Sequence, residues 1–203
     1  MRRGKIASSL ASWIMSILVA VVVSLFIISN IISFTMIMEV SMEPTLYEND
    51  RVLVNRIGYM IGKPKRDDIV ILNKVNDEKG IITNMLNEGR DIIDNITFRF
   101  TGEIEKNNLI KRVVATEGDI VDIRDGNLYI NGIEEENGSI RGDTYAHDLE
   151  FPMEVPENKV FALGDNREFS LDSRHLGFID IGQIKGKAVF RVLPLESFGR
   201  IQW

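Results

Sequence analysis

The 203-residue chain has no cysteine. That excludes a disulfide framework, thiolate chemistry and any cysteine-ligated metal centre. Its only histidines are His147 and His175. They stand too far apart in sequence to make a local ligand pair, so no zinc site and no cofactor are expected. Acidic residues are missing from the first 38 positions, where Arg2, Arg3 and Lys5 give a balance of +3. With the net charge at −6, that leaves −9 on the remainder. So acidic a body argues against nucleic acid as a partner. Internal repeats and low-complexity tracts are also lacking.

Charge of either sign is absent from Ile6 to Met38, and the densest apolar part runs from Trp13 to Ile32. About 20 apolar residues cross the core of a bilayer. The basic residues ahead of the run put the N-terminus in the cytoplasm and the body outside, with Trp13 at the inner interface. A cleavable signal peptide would have a shorter apolar region, about 7–15 residues, and a small-x-small site after it. This run is longer, and Met36-Ile37-Met38 offers no small residue. The expectation is an uncleaved, single-pass anchor in the cell membrane. Residues 1–38 form the basic tip and transmembrane helix, and residues 39–203 form an extracytoplasmic body.

The body reads as short strands separated by turn residues. Val52 to Val54 and Ile69 to Leu72 are apolar runs of strand length, with Gly62, Pro64 and Asp67-Asp68 marking a turn between them. Leu109 to Val114 is a strand pattern with a lysine near its centre. Ile120 to Arg124, Asp125-Gly126 and Asn127 to Ile130 make a hairpin, because Asp-Gly suits the positive φ of a tight turn. Asn131-Gly132 is a second turn signal. Residues 120–158 form a hairpin and loop subregion, acidic and loop-rich from residue 134. Lys159 to Leu163 and Lys185 to Leu193 are further strands. Residues 77–108 are polar, carry apolar residues at helical spacing, and are read as an exposed insertion, with Phe98 and Phe100 starting a strand. The fold class is mostly β: an antiparallel body behind one N-terminal membrane helix.

Three stretches carry the chemistry. Ser41-Met42-Glu43-Pro44-Thr45-Leu46 follows the apolar run directly. Lys111 to Asp119 reads Lys-Arg-Val-Val-Ala-Thr-Glu-Gly-Asp. Gly164 to Gly177 contains Gly-Asp-Asn, Ser170, Asp172, Arg174 and His175. Taken singly, each has an ordinary reading: a solvated or helix-capping serine, an edge-strand lysine, a Gly-Asp-Asn turn. In this order behind an anchor, together with Asn49 to Val54, they resemble the type I signal peptidase family (signal peptidase I, the S26 Ser-Lys peptidases), especially its shorter Gram-positive-like bacterial members. The matching stretches run from the anchor to near the C-terminus.

The resemblance implies roles by position. Ser41 matches the nucleophile and Lys111 the general base. Ser170 matches a hydroxyl that orients the lysine. Asp172 and Arg174 match a supporting polar pair, and Met42 a residue packed beside the nucleophile. Pro44, with its fixed φ, stiffens the turn that presents Ser41. It also implies the activity, a serine endopeptidase that cuts signal peptides from secretory preproteins after small-x-small sites, acting as a monomer at the lipid bilayer.

These residue types suit the chemistry. A serine hydroxyl needs a base to take its proton. A lysine amine serves only if burial lowers its pKa from about 10.4. The expected site is therefore an amine among apolar groups, bonded to Ser41 and Ser170 and free of any carboxylate, with Asp172 turned toward Arg174. A Ser-Lys pair is a variant of the serine-protease arrangement. The sequence departs from the family at Glu39, where members often have Ser, Thr or Gly able to donate to an oxyanion. An ionised carboxylate cannot donate, so the oxyanion falls to the Ser41 backbone N–H. Glu39 is expected to face water or lipid headgroups, and Met36-Ile37-Met38 to extend the apolar surface onto the bilayer.

Three rival readings differ in class. A His-based hydrolase would use His175 or His147. A non-catalytic anchored β domain would bind secretory partners and have no need of Ser41, Lys111 and Ser170 together. A self-cleaving Ser-Lys regulator would carry a DNA-binding domain where this chain has an apolar run.

Overall fold

In the computed structural model, residues 12–20, 23, 32–73, 108–136 and 138–201 are described. Arg2, Arg3 and Lys5, most of the expected membrane span, Phe98 and Phe100, and all of the expected insertion except Asn108 lie outside them. Residues 12–20 are helical, and Trp13, Ile14, Met15, Ile17, Leu18 and Val19 on that stretch are exposed. Among the described residues no helix is long and apolar enough to cross a membrane.

The uncharged run, expected to be anchor up to residue 38, is not helical at its end. Its end, Ile32–Met36, is strand β1, paired antiparallel with β2, Arg51–Asn55. Branched and aromatic residues favour a pleated, half-buried strand, and β2 supplies the partner that a lone apolar run lacks. Ile37 is core rather than lipid-facing, at 2% exposure. It exchanges backbone hydrogen bonds with the far side of the loop, Ile37 N to Asp50 O and Asn49 N to Ile37 O. β1 and β2 thus form a hairpin whose long loop carries Ser41.

The other strands follow: β3 (Ile69–Asn73), β4 (Asn108–Thr116), β5 (Ile120–Arg124), β6 (Asn127–Ile130), β7 (Ile133–Glu134), β8 (Met153–Glu154), β9 (Lys159–Leu163), β10 (Ile179–Asp180), β11 (Ile184–Leu193) and β12 (Gly199–Arg200). The larger sheet runs β1-β2-β11-β3-β4-β9-β10, with β12 on β11, and the smaller runs β7-β6-β5-β8. Among the described residues all strand ladders are antiparallel. The expected β5–β6 hairpin turns on Asp125 at φ 51° and Gly126 at φ 80°. Both angles lie in the left-handed region that a tight hairpin turn requires.

Two faces of the larger sheet are covered. Ile69 and Ile71 of β3 pack with Met42, Leu46, Val52 and Ile110, while Val70 and Leu72 pack with Leu109 and Val113 on a separate cluster. Burial on both sides explains why β3 reads as an unbroken apolar run instead of alternating. A third cluster joins Val121, Leu128 and Ile130 of the smaller sheet to Phe161 and Leu163 of β9.

Candidate active site

Ser41 sits in a 3-10 turn, Val40–Met42, inside the β1–β2 loop. Met42 and Leu46 anchor that loop by burying completely in the core. Across from it, β4 is clamped between β3 and β9, with Lys111 in register with Val70. The Lys111 side chain is wholly buried. Its amine donates to Ser41 Oγ at 2.8 Å and to the Ile110 carbonyl at 2.9 Å. Burial pushes the Lys111 pKa down to about 8, against the pull of Glu39, Asp172 and Asp165, and Arg174 adds to the lowering. Near pH 7 about one amine in ten is then the free base. Such an amine can take a proton from the hydroxyl it touches.

The stretch after β9 closes the site. Gly164 lets the pieces meet: a Cβ there would stand 2.5 Å from the Ser41 carbonyl oxygen and would overlap Ser170 Oγ. Asn166 holds the turn, donating from its backbone N–H to Ser41 O at 3.0 Å and from Nδ2 to Val40 O at 3.2 Å. Arg174 grips Asp172 through Nε to Oδ1 at 2.9 Å and Nη2 to Oδ2 at 2.8 Å, and Gly164 N–H donates to Asp172 Oδ2 at 3.1 Å. Burial opposes the charge on Asp172, yet Arg174 holds its carboxyl below the usual range, with help from Ser170 and Gly164. A second buried pair, Arg112 and Asp165, meets in a fork of two 2.7 Å bonds. Thr45 Oγ1 donates to Asp165 Oδ2. That network ties the serine loop, β4 and the post-β9 stretch into one unit.

The family sequence model described as "Signal peptidase, peptidase S26" matches residues 10–193. This chain belongs to that family. As a member, it is a serine peptidase of the signal peptidase I type. Signal peptidase I of Bacillus licheniformis is 31% identical over 199 residues, 94% of this chain and 92% of that protein. Thylakoidal processing peptidase 1, chloroplastic, of Arabidopsis thaliana is 35% identical over 175 residues, 86% of this chain but 46% of the plant protein, so the chain spans less than half of that relative's length. A crystal structure of a signal peptidase I from Enterococcus faecalis V583 overlaps 62% of this chain and 97% of its own at 26% identity and a TM-score of 0.40, a likeness too loose to bear on the fold.

The structure of this S26 peptidase brings Ser41, Lys111, Ser170, Asp172, Arg174 and Met42 together, with two departures from expectation. Ser170 Oγ is buried but makes no hydrogen bond of ordinary geometry, and the second acceptor of the lysine amine is the Ile110 carbonyl. Ser170 Oγ instead packs against Gly164, where no Cβ stands in its way, on the Asp172 side of the site. The amine is also not free of carboxylates. Glu39 Oε2 lies 3.8 Å from Lys111 Nζ, with the Glu39 side chain 48% exposed. Two residues before Ser41, in extended backbone, it stays about half in water as expected but brings one carboxylate oxygen within reach of the amine.

Sequence reading passed over Arg112, Thr45, Asp165 and Asn166. The signal was present in Arg112: a strand core holding Lys and Arg side by side must bury both, and a buried guanidinium needs a carboxylate partner. His147 and His175, distant in sequence, have ring centroids 4.1 Å apart. Both are exposed, and the hydroxyl of Ser41 takes its hydrogen bond from Lys111 rather than from an imidazole. Among the described residues no three His, Cys, Asp or Glu side chains gather to hold a metal.

Proposed function

We propose that this chain is a membrane-anchored endopeptidase that removes signal peptides from secretory preproteins with Ser41 as nucleophile and Lys111 as general base. The observation that carries the reading is the 2.8 Å bond between a fully buried amine and the Ser41 hydroxyl. Ser41 attacks the scissile carbonyl while Lys111 Nζ takes its proton. Lys111 then gives that proton to the leaving amine, and water, deprotonated by the same amine, hydrolyses the acyl-enzyme. The Ser41 backbone N–H faces the oxyanion, a donor worth about 2.7–4 kcal/mol. Asp172 with Arg174 and Arg112 with Asp165 fix the walls, and Ser170 fills the space at Gly164.

The substrate reading rests on the name signal peptidase I carried by the Bacillus relative. The anchoring reading rests on the uncharged run after three basic residues. With β1 part of the sheet, the anchor ends before Ile32 and the extracytoplasmic domain begins there. The loop carrying Ser41 then lies one short strand from the bilayer, beside exposed Phe34, Met38 and Val40, and the chain works as a monomer.

The test is cleavage of a preprotein by the full chain in detergent. Ser41→Ala and Lys111→Met should each abolish cleavage, and His175→Ala should keep it. For the wild type, kcat/KM should rise as pH climbs through about 8, as Lys111 loses its proton. Binding without cleavage by the wild type would instead establish the partner-binding β domain, for which Glu39 beside the amine is the supporting observation.

A further inference from the structure

Three carboxylates influence Lys111, and two are already committed. Asp165 is forked to Arg112, and Asp172 is forked to Arg174. The strands flanking Lys111 add no charge, since β3 faces it with Val70 and β9 is apolar beyond Lys159. Arg174 pushes the other way. That leaves Glu39, whose carboxylate reaches the amine from the open side of the site at 3.8 Å. It is the strongest of the charges that draw the lysine back toward its protonated form. The asymmetry in exposure matters: the amine is sealed, while the carboxylate is about half in solvent and can be screened or moved aside.

We propose that Glu39 is a positioning residue acting through Lys111: from the entrance of the site it holds the amine in its charged form and so sets the pH above which Ser41 can be activated. The inference deepens the Ser-Lys reading above and rests on it. A hydrogen-bonding hydroxyl or a glycine at this position would leave the amine without this charge. A peptide laid across the site would displace the carboxylate from the amine, so the effect belongs to the free enzyme. It should appear in kcat/KM, which reports groups of the unbound enzyme, more than in kcat.

The experiment compares the full chain in detergent micelles with Glu39→Gln and Glu39→Asp. In the Gln variant the acid limb of kcat/KM should move down by about one pH unit, because an opposing charge at this range favours the ammonium. At pH 6.5 the variant should then be several-fold faster than the wild type, up to about tenfold, with the plateau above the limb unchanged. Glu39→Asp should return the limb toward the wild-type position. Raising salt should lower the wild-type limb and leave that of Glu39→Gln in place. Separately, the 13Cε resonance of Lys111, assigned by its loss in Lys111→Met, is titrated by NMR in the same samples. If cleavage is absent but that resonance titrates lower in Glu39→Gln, the peptidase reading falls and the charge coupling stands. If cleavage is present but neither limb nor resonance moves, or both move upward, the role of Glu39 is overturned. A Gln variant that is inactive at every pH also overturns it, since a group that only sets protonation is dispensable above the limb.

Discussion

In the proposed mechanism, Lys111 is a case where function works against stability. Its ordinary value is 10.5, and in the folded chain it is pushed down to about 8 by burial. The folded state therefore sheds this proton before the unfolded state does. Below pH 8 both states hold it, and the fold bears the whole cost of a buried ammonium, up to about 3 kcal/mol. Between about 8 and 10.5 that cost fades as pH rises. Lys111→Met keeps the bulk and removes the charge. It should raise Tm at pH 7, with the gain shrinking toward pH 10.5, as differential scanning calorimetry across that range would record. A Tm that falls at pH 7 would mean that the bonds to Ser41 and Ile110 outweigh the burial cost. The need for a depressed lysine was legible in the sequence, because Ile110, Val113 and Val114 flank it. Glu39 stands out of the family pattern in the sequence, but its approach to the amine does not follow from it, because a side chain beside an extended turn can point either way until the turn is docked.

At the scale of elements, the site is three segments locked by two buried ion pairs and one glycine. Gly164→Ala should cost about 1–3 kcal/mol as an overpacked position. It should also depress cleavage, because the added methyl pushes on the Ser41 carbonyl and on Ser170. Urea denaturation and kcat measured on the same variant check both. Arg112→Met leaves the Asp165 charge buried without its fork and should cost about 3–5 kcal/mol. Here the Thr45 hydroxyl offers the carboxylate only partial compensation. A loss under 1 kcal/mol in urea denaturation would show that Asp165 takes up a proton instead. Strand positions were legible from apolar runs and turn residues, and β2, β3, β4, β9 and β11 fall within a residue or two of where those signals put them. β1 was not legible, because an apolar stretch that follows a membrane-length run looks the same whether it enters lipid or a sheet; only pairing with β2 distinguishes the two.

For the whole molecule, the absence of cysteine turns the proposed topology into a simple measurement. Arg3→Cys and Tyr145→Cys introduce single thiols on either side of the proposed anchor. In intact bacterial cells expressing each variant, a membrane-impermeant maleimide should label Tyr145→Cys and not Arg3→Cys. Permeabilisation should expose both. Labelling of Arg3→Cys in intact cells would reverse the orientation, and labelling of neither would place the body in the cytoplasm. Tyr145 suits the purpose because it is exposed.

By itself the sequence determined the class and pointed to the proposed chemistry: a serine behind an uncharged run, a lysine within an apolar strand, a Ser-x-Asp-x-Arg stretch, and enough turn residues to divide the rest into strands. These are local signals, set by hydropathy, spacing and φ preference within a few residues. The tertiary structure decided what depends on residues far apart in the chain. It inserted β11 between β2 and β3, paired Arg112 with Asp165 across 53 positions, and set His147 against His175. It also left Ser170 Oγ without a hydrogen bond to the amine and brought Glu39 to it. Each of these is a choice of partner, and partners are selected by packing and burial once the strands assemble, because a charge or hydroxyl reveals its match only when water has been removed from around it.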